Sequence, residues 1–308
     1  MTDPDMSNVP LITSVAPAMS RKDEHGREIG AAYQEACIRS WLAAGFRVIS
    51  VNGPDDTVQF GELMEVVRTT RTAKELHGKP VVFIADLFQA AARVTAGPVC
   101  IVNADILLRP SFDLAGTVAE LRADQALMAR RTDVTRVTDT QGDIYEGFDL
   151  FAAHGSVLAD IPDRTFAVGL HWWDYIVPLE LNARRVRVHL VREPLCYHLI
   201  HDKSWNQREW FNLGVAYARR VQELPAASPE FAGYQAQARD VSALFARQER
   251  YRSLITMAKA VHPELGMRTE RSAQRHTARA LRSLARDSFK VIDRTFASSL
   301  ADLAVAPG

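Results

Sequence analysis

Cysteine is scarce in this chain, and its copies form neither a metal-binding nor a disulfide pattern. Cys37, Cys100 and Cys196 each lie inside an apolar or amphipathic run, and no Cys-X-X-Cys spacing occurs. Structural zinc sites and the disulfide frameworks of small secreted domains need closely spaced or paired cysteines. The sequence therefore predicts three small core residues in a reducing compartment.

Long hydrophobic runs are missing, and so is an excess of charge of one sign. No run of about 18 apolar residues occurs, so no transmembrane helix is expected. The N-terminus carries Asp3 and Asp5 and lacks the basic and apolar regions of a signal peptide. Lys plus Arg total 37, as do Asp plus Glu, so no global field favours nucleic acid as a partner. We expect a cytoplasmic protein.

The most informative segment is 99–109, an apolar run rich in β-branched residues that follows Gly97 and Pro98. This pattern is typical of a buried central strand. Asn103 and Asp105 follow it, and residues two apart on an extended backbone point to the same face. Their oxygens can hold a hard divalent cation at the edge of an α/β sheet where ligands bind. The alternative is that both residues only terminate the strand.

The order of predicted elements favours a parallel α/β sheet. Short connections join a strand, a helix and a strand at 11–15, 30–44 and 46–51. A helix at 84–94 leads into the central strand, and further strands are predicted at 127–131 and 147–153. A helix beginning at Asp174 would keep Pro178 within its first turn. Beyond residue 224 the pattern is helical, with breaks near Pro225, Pro229 and Pro263.

Residues 166–210 are dense in tryptophan and histidine. His198 and His201 would share a face in a helix but oppose each other in a strand. Because 194–198 is predicted to be extended, we expect only one of the two histidines to reach a metal. Arg192 is expected at the surface or on a diphosphate.

The order and spacing of these motifs resemble the GT-A glycosyltransferases, especially the bacterial glycosyltransferase 2-like group. In that family a strand ends in Asp-X-Asp, an acidic residue later begins a helix, and a late histidine often completes the metal shell. Asn103-Ala104-Asp105, Trp172-Trp173-Asp174 and His198 or His201 occupy these places here. The chain departs from the family pattern at two places. Asn103 replaces the first Asp of Asp-X-Asp, and Asn-Gly-Pro-Asp-Asp at 52–56 replaces the usual Asp-Asp-Gly-Ser after the second strand.

The resemblance covers roughly residues 10–212. It implies a GT-A-like, mostly parallel central sheet flanked by helices, with an α-helical C-terminal extension. The implied organisation is a flexible leader at 1–9, a nucleotide-sugar-binding and acceptor domain at 10–224, and the extension at 225–308. The implied activity is metal-assisted transfer of a sugar from a nucleotide-diphosphate donor to a hydroxyl of a glycan or lipid-linked acceptor.

The resemblance also implies a role for each candidate residue. Asp105 with His198 or His201 would hold Mn²⁺ or Mg²⁺, with Asn103 nearby. Asp174 would take the acceptor proton in an inverting mechanism, or would only cap its helix; Asp149 is the next carboxylate to consider for a retaining enzyme. The expected nucleotide contacts are Thr13, Ser14, Asn52 and Asp86, and the expected acceptor platforms are Trp172, Trp173 and Trp205.

Two other classes of function are compatible with the sequence. One is a catalytically inactive GT-A-like domain that binds a sugar nucleotide or glycan, which the Asn103 departure favours. The other is a nucleotidyltransferase, which would need a glycine-rich phosphate loop after the first strand; segment 15–22 offers Arg21 and Lys22 but no glycine. Convergence of Asp105, Asp174 and one histidine on a single cleft would favour the enzyme.

The C-terminal segment is locally basic. From Arg247 to Arg294 there are twelve Lys or Arg against five Asp or Glu, an excess of seven. Residues 269–300 have a helical pattern, with an apolar stripe among arginines formed by Ala280, Leu281, Leu284, Phe289, Ile292 and Phe296. Such a helix can lie on the anionic inner face of a membrane. The alternative is that the stripe packs on the catalytic domain or on a second subunit.

Overall fold

The computed structural model describes residues 9–161, 165–201, 206–226, 228–293 and 297–299. These residues divide into two compact units: 9–201 with 297–299, and 206–293. The sequence predicts a domain boundary near residue 224, and the helix Gln207–Glu223 belongs to the second compact unit. The reason is that the helix Gln207–Glu223 packs on the C-terminal helices.

The first unit alternates strands and helices. Its strands are β1 (Pro10–Thr13), β2 (Arg47–Asn52), β3 (Glu65–Arg68), β4 (Pro98–Val102), β5 (Leu107–Leu108), β6 (Gln125–Val134), β7 (Asp143–His154), β8 (Arg187–Leu199) and β9 (Ala297–Ser299). Its helices are α1 (Gly30–Ala43), α2 (Lys74–His77), α3 (Ile84–Val94), α4 (Leu114–Ala119), α5 (Gly155–Ala159) and α6 (Trp173–Ala183). The predicted α/β class is confirmed.

The strands form one mixed sheet in the order β3-β2-β1-β4-β7-β6-β8-β5, with β9 also paired to β8. Of the described strand pairs, five are parallel and three, β4–β7, β6–β7 and β5–β8, are antiparallel. The sequence gives no sign of the reversal at β7. It follows from the short segment between Val134 and Asp143, because a parallel partner would need a crossover of a dozen or more residues.

Both faces of this sheet are covered, which explains the nearly continuous apolar strands. Alternate residues such as Leu11, Val48 and Cys100 pack with α1 and α4 in one core. Their neighbours in sequence, which include Ile12 and Ile49, are also buried and point to the opposite face, where α3 packs on β1 and β2. The three cysteines are free and buried, as predicted.

Helix α6 begins one residue earlier than expected, so its proline lies further from the N-terminal end of the helix than predicted. The helix starts at Trp173, and Trp172 occupies the N-cap position with a left-handed φ of 77°. Pro178 therefore lies in the second turn, where it cannot donate to the carbonyl of Asp174. Asp174 lies in the first turn and is not the N-cap, so a pure capping role for its side chain does not apply.

The second unit consists of α7 (Gln207–Glu223), α8 (Pro229–Val261) and α9 (Pro263–Val291). The helices α8 and α9 begin at the predicted prolines, and the predicted helical C-terminal region is confirmed. The hydroxyl of Tyr217 contacts those of Tyr234 and Ser288, each at 2.8 Å, which joins all three helices. In the described residues no helix is long and apolar enough to cross a membrane.

Part of the apolar stripe predicted at 269–300 packs in the core of this unit. Leu281, Leu284 and Ile292 are buried there, so they do not face a membrane. Helix α9 ends at Val291, and 297–299 instead form strand β9. Phe296 and Leu300 lie outside the described residues.

Candidate active site

The candidate site lies where several strands of the sheet end together. Strands β1, β4, β6 and β8 run in the same direction, because β4 and β6 are each antiparallel to β7 while β6 and β8 are parallel. Their carboxyl ends therefore share one edge, the edge at which α/β sheets bind ligands. Residues from the ends of these strands and from the loops that follow them meet there.

Asp105 lies in the turn after β4 and is paired with two cationic side chains. Its Oδ2 accepts a hydrogen bond of 2.7 Å from Arg21 Nη2 and lies 3.3 Å from His198 Nε2. Burial alone would raise the pKa of Asp105, but the neighbouring charges of His198 and Arg21 outweigh it and hold the pKa well below its usual value. The carboxylate is therefore ionised at neutral pH.

His198 bridges two carboxylates. Its Nδ1 lies 2.9 Å from Asp133 Oδ1, while its Nε2 faces Asp105. Burial lowers the pKa of this imidazole, but the carboxylates of Asp105 and Asp133 raise it by more, so the pKa is about 9. The ring of His201 lies edge-on to that of His198, with their centroids 5.3 Å apart. Both histidines thus lie at the site, although the sequence predicted that only one would reach it.

The donor atoms of Asp105, His198 and His201 lie close enough together to hold one metal ion. One ligand atom from each lies within 4.8 Å of the others. Asp105 Oδ1 is buried and has no hydrogen-bond partner among the described residues. A metal-binding histidine commonly donates its second ring N–H to a carboxylate, which is the relation of His198 to Asp133. The residues present therefore fit a divalent cation.

Tyr33 on α1 holds the two ligand-bearing segments together. Its hydroxyl donates to the carbonyl of Asp105 at 3.0 Å and accepts from the backbone N–H of Leu199 at 2.9 Å. No sequence motif points to this residue. Its only signal is a polar hydroxyl within the apolar stripe of α1, since it is buried in the core with Cys37 and Trp41.

Asn103 does not converge with Asp105 as the extended-strand argument predicted. Strand β4 ends at Val102 and the chain then turns, with the N–H of Ile106 bonded to the Asn103 carbonyl at 3.3 Å. The Asn103 side chain donates to Asp149 Oδ1 at 3.1 Å and accepts from the N–H of Ala104 at 3.0 Å. Its amide thus orients Asp149.

Arg131 connects the metal-ligand candidates to a second group of carboxyls. It contacts Asp133 at 2.8 Å and Asp149 at 3.2 Å, and its guanidinium lies 4.0 Å from the centre of the Tyr145 ring. Its positive charge acts on both Asp105 and Asp174. The two carboxyls that the resemblance assigns to metal and to acceptor are therefore parts of one electrostatic cluster.

Asp174 is buried against β7. A Cβ on Gly147 would lie 1.9 Å from Asp174 Oδ2, so the carboxyl occupies space that only glycine leaves open. Burial, and next the charge of Asp149, raise the pKa of Asp174 to about 7. Burial likewise raises the pKa of Asp149. Two neighbouring carboxyls with raised pKa values are typical of sites that transfer protons.

The predicted nucleotide contacts lie at the ends of β1 and β2 and on α3. Asn52 is buried, donates to the Val15 carbonyl at 2.8 Å and accepts from Ser50 at 2.6 Å, so it braces the loop after β1. Thr13 is buried at the end of β1 and Ser14 follows it, partly exposed. Asp86 lies in the first turn of α3, 3.3 Å from Arg71.

Of the predicted acceptor platform, Trp172 and Trp173 are turned into the core. Trp172 and Trp173 are both almost fully buried, because they pack with Tyr175 and Phe151 respectively. Neither offers a face to a sugar ring. Trp205 lies outside the described residues.

A pocket of about 610 Å³ adjoins the cluster and is lined by Ser20, Arg21, Lys22, Asp23, Gly26, Ile200 and His201. The loop after β1 is held in shape by Glu28, which accepts from Ser20 Oγ, the Arg21 N–H and the Gly30 N–H at 2.7, 2.9 and 2.7 Å. Two cationic side chains, Arg21 and Lys22, thus lie beside the predicted metal ligand His201. This arrangement suits an anionic ligand.

Comparison with known proteins gives no family for the chain. No family model matches it, and neither does any curated protein. Among solved structures it is similar to HddC from Yersinia pseudotuberculosis, with a TM-score of 0.34 and 9% identity over 62% of this chain and 89% of that one. HddC complexed with GMP-PN gives a TM-score of 0.33 and 9% identity over 66% and 97%. Scores of this size assign neither a fold nor an activity to this chain.

Proposed function

We propose that this chain is a metal-dependent glycosyltransferase of GT-A-like organisation. It would move a sugar from a nucleotide-diphosphate donor to a hydroxyl of a glycan or lipid-linked acceptor. The observation that supports this most is the cluster of Asp105, His198 and His201. It lies at the carboxyl ends of parallel strands and beside a pocket lined by two cationic side chains.

Asp105, His198 and His201 would hold the cation with one carboxylate and two imidazoles. Imidazole suits transition metals and carboxylate suits harder ions, so this mixed donor set fits Mn²⁺ better than Mg²⁺. His198 would bind through Nε2 by releasing the proton that its pKa of about 9 keeps on the ring without a metal, and Asp133 would keep the ring oriented through Nδ1. When bound, the cation stabilises the negative charge that gathers on the leaving diphosphate. Arg21 and Lys22 add charge-assisted hydrogen bonds to the same group.

The acceptor hydroxyl loses its proton to Asp174. A general base works best when its pKa lies near the operating pH, and burial next to Asp149 raises the pKa of Asp174 to about 7. Arg131 limits that rise through its positive charge, and Gly147 leaves room for the carboxyl. This assignment implies an inverting reaction with a single displacement.

Nucleotidyl transfer to a sugar phosphate is the second candidate, favoured by Arg21 and Lys22 in the loop after β1. That reaction releases pyrophosphate, whereas glycosyl transfer releases a nucleoside diphosphate. An inactive GT-A-like binding domain would release neither. The product therefore distinguishes the three candidates.

The experiment incubates the protein with UDP- and GDP-sugars and a panel of glycan and lipid-linked acceptors, with Mn²⁺ or with EDTA, and measures acceptor-dependent release of UDP or GDP. We expect release only with Mn²⁺, abolished by Asp105→Ala and retained by Asp240→Ala, which changes an exposed aspartate on α8. Nucleotide binding without release from any donor would contradict transfer and favour the binding domain. Pyrophosphate release from a nucleoside triphosphate and a sugar phosphate would favour the second candidate.

A further inference from the structure

The far half of the α8–α9 hairpin has no closed core. Val241 on α8 and Thr277 on α9 are buried, but none of the described side chains between them is. We call residues 242–276 the distal hairpin. Gln248 contacts the Ala273 carbonyl and Lys259 pairs with Glu270, so the two helices stay in contact along this length. The distal hairpin therefore exposes side chains that a closed bundle would cover.

One flank of α8 in the distal hairpin carries an exposed apolar stripe. Its members Tyr251, Leu254, Met257 and Val261 are 53%, 55%, 63% and 71% exposed. At about 100° per residue these four positions fall within roughly 120° of the helix circumference. Met267, at the start of α9, is also exposed. Contiguous exposed apolar surface of this kind marks a site of interaction.

The stripe is surrounded by positive charge. The distal hairpin contains seven Lys or Arg and three Glu, a net charge of +4 from 7 − 3. Arg247 and Arg268 line a groove of about 780 Å³ between α8 and α9, together with the apolar side chains Leu244, Leu254 and Ile255. A ligand of this surface must be apolar and anionic at once.

We infer that the distal hairpin binds the surface of an anionic lipid bilayer. The apolar stripe enters the interface between headgroups and acyl chains, while the arginines contact lipid phosphates. A second copy of the hairpin is a poor occupant because two surfaces of charge +4 would face each other. This role goes beyond the proposed function, and it uses a different surface from the one predicted at 269–300, of which Leu281, Leu284 and Ile292 are buried.

The experiment measures co-sedimentation of the full chain with phosphatidylcholine vesicles, with or without about one third phosphatidylglycerol. We expect the chain to bind the anionic vesicles and to bind pure phosphatidylcholine at least about tenfold more weakly. Adding NaCl to about 0.5 M should weaken the binding to anionic vesicles. The double variant Leu254→Glu/Met257→Glu should bind the anionic vesicles at least about tenfold more weakly. Leu76→Glu is the matched control, since Leu76 is 61% exposed on the α/β unit, and it should bind like the parent.

Several outcomes would overturn the inference. These are absence of binding to anionic vesicles, equal binding by the double variant, or equal binding to both lipid compositions. A parent dimer that the double variant converts to a monomer, without vesicle binding, would instead make this face a contact between copies. Circular dichroism checks that the double variant keeps its helices. If it does not, the single change Met257→Gln, at a side chain that is 63% exposed, repeats the test.

Discussion

At the residue scale, Asp174 links the stability of the protein to pH. Its carboxyl ionises at about 7 in the folded protein but has an ordinary pKa of 3.8. Between these pH values Asp174 stays protonated in the folded state but ionises in the unfolded state. The free energy of unfolding is therefore highest, as far as Asp174 affects it, below about pH 4, and it falls as the pH rises through 7. Asp174→Asn removes the cost of burying a charge there.

We therefore predict that Asp174→Asn is more stable than the parent at pH 8, by about 1–4 kcal/mol, since one pKa unit corresponds to about 1.4 kcal/mol. At pH 4 the two proteins should be nearly equal. Urea unfolding at both pH values measures the difference. The same variant should lose roughly 10²–10⁴-fold in turnover, the usual contribution of a general base. If the parent and Asp174→Asn were equally stable at pH 8, the pKa of Asp174 would not be raised in the folded protein.

Asp133 gives a second prediction at this scale. Because it orients His198 through Nδ1, Asp133→Ala should weaken Mn²⁺ binding by about 10–100-fold without abolishing it. Paramagnetic resonance of free Mn²⁺ during a titration measures this affinity, with Asp240→Ala as the control for loss of one negative charge. If Asp133→Ala binds Mn²⁺ like the parent, His198 does not depend on Asp133 for its orientation.

The sequence pointed to the candidate metal ligands but not to the residues that orient them. Asp105 was selected from the end of a strand, and His198 and His201 from the resemblance to the GT-A glycosyltransferases; the structure brings their donor atoms together. Asp133 faces His198 through the register of β6 and β8, and no local pattern encodes that register. Trp172 and Trp173 looked suited to sugar binding because aromatic identity does not distinguish a ligand platform from a buried core residue.

At the scale of elements, β7 leaves room through Gly147 for the carboxyl of Asp174, the proposed general base. Gly147→Ala would place a methyl group 1.9 Å from Asp174 Oδ2 and 2.5 Å from the Tyr145 ring. We predict a loss of about 1–3 kcal/mol in the free energy of unfolding, with a loss of turnover because the carboxyl must move. Thermal or urea unfolding and a turnover assay measure these effects.

The matched control is Gly61→Ala in the first unit, where an added Cβ would have no neighbour within 4 Å. This control should stay near the parent in both assays. A Gly147→Ala protein with parental stability and turnover would show that Asp174 tolerates displacement, and it would remove the argument for a fixed base.

Helices were easier to predict than the direction of strands. Helix α3 was predicted at its observed bounds and α1 within one residue, because their 3.6-residue apolar period is local. The antiparallel β7 depends on which strands pair, a long-range property that the apolar pattern of β6 and β7 leaves open. The start of α6 at Trp173 was also missed, because the left-handed N-cap at Trp172 has no glycine or capping side chain to signal it.

At the scale of the whole molecule, the α/β unit and the helical unit have separate roles in this account. The first contains the complete Asp105–His198–His201 cluster and its pocket, and the second contains the distal hairpin. The sequence predicts a domain boundary near residue 224 because the apolar face of α7 does not reveal its partner. Its packing on α8 and α9 becomes visible only in three dimensions.

The most direct test of the central claim is a thermal-shift titration of the parent and of Asp105→Ala with UDP and GDP, each with Mn²⁺ and with EDTA. Binding to the folded state raises the unfolding temperature in proportion to ln(1 + [L]/Kd). The account predicts that at least one nucleotide shifts the parent with Mn²⁺ but not with EDTA, and that neither shifts Asp105→Ala. A nucleotide shift that is unchanged by EDTA or by Asp105→Ala, or no shift with either nucleotide, would contradict it.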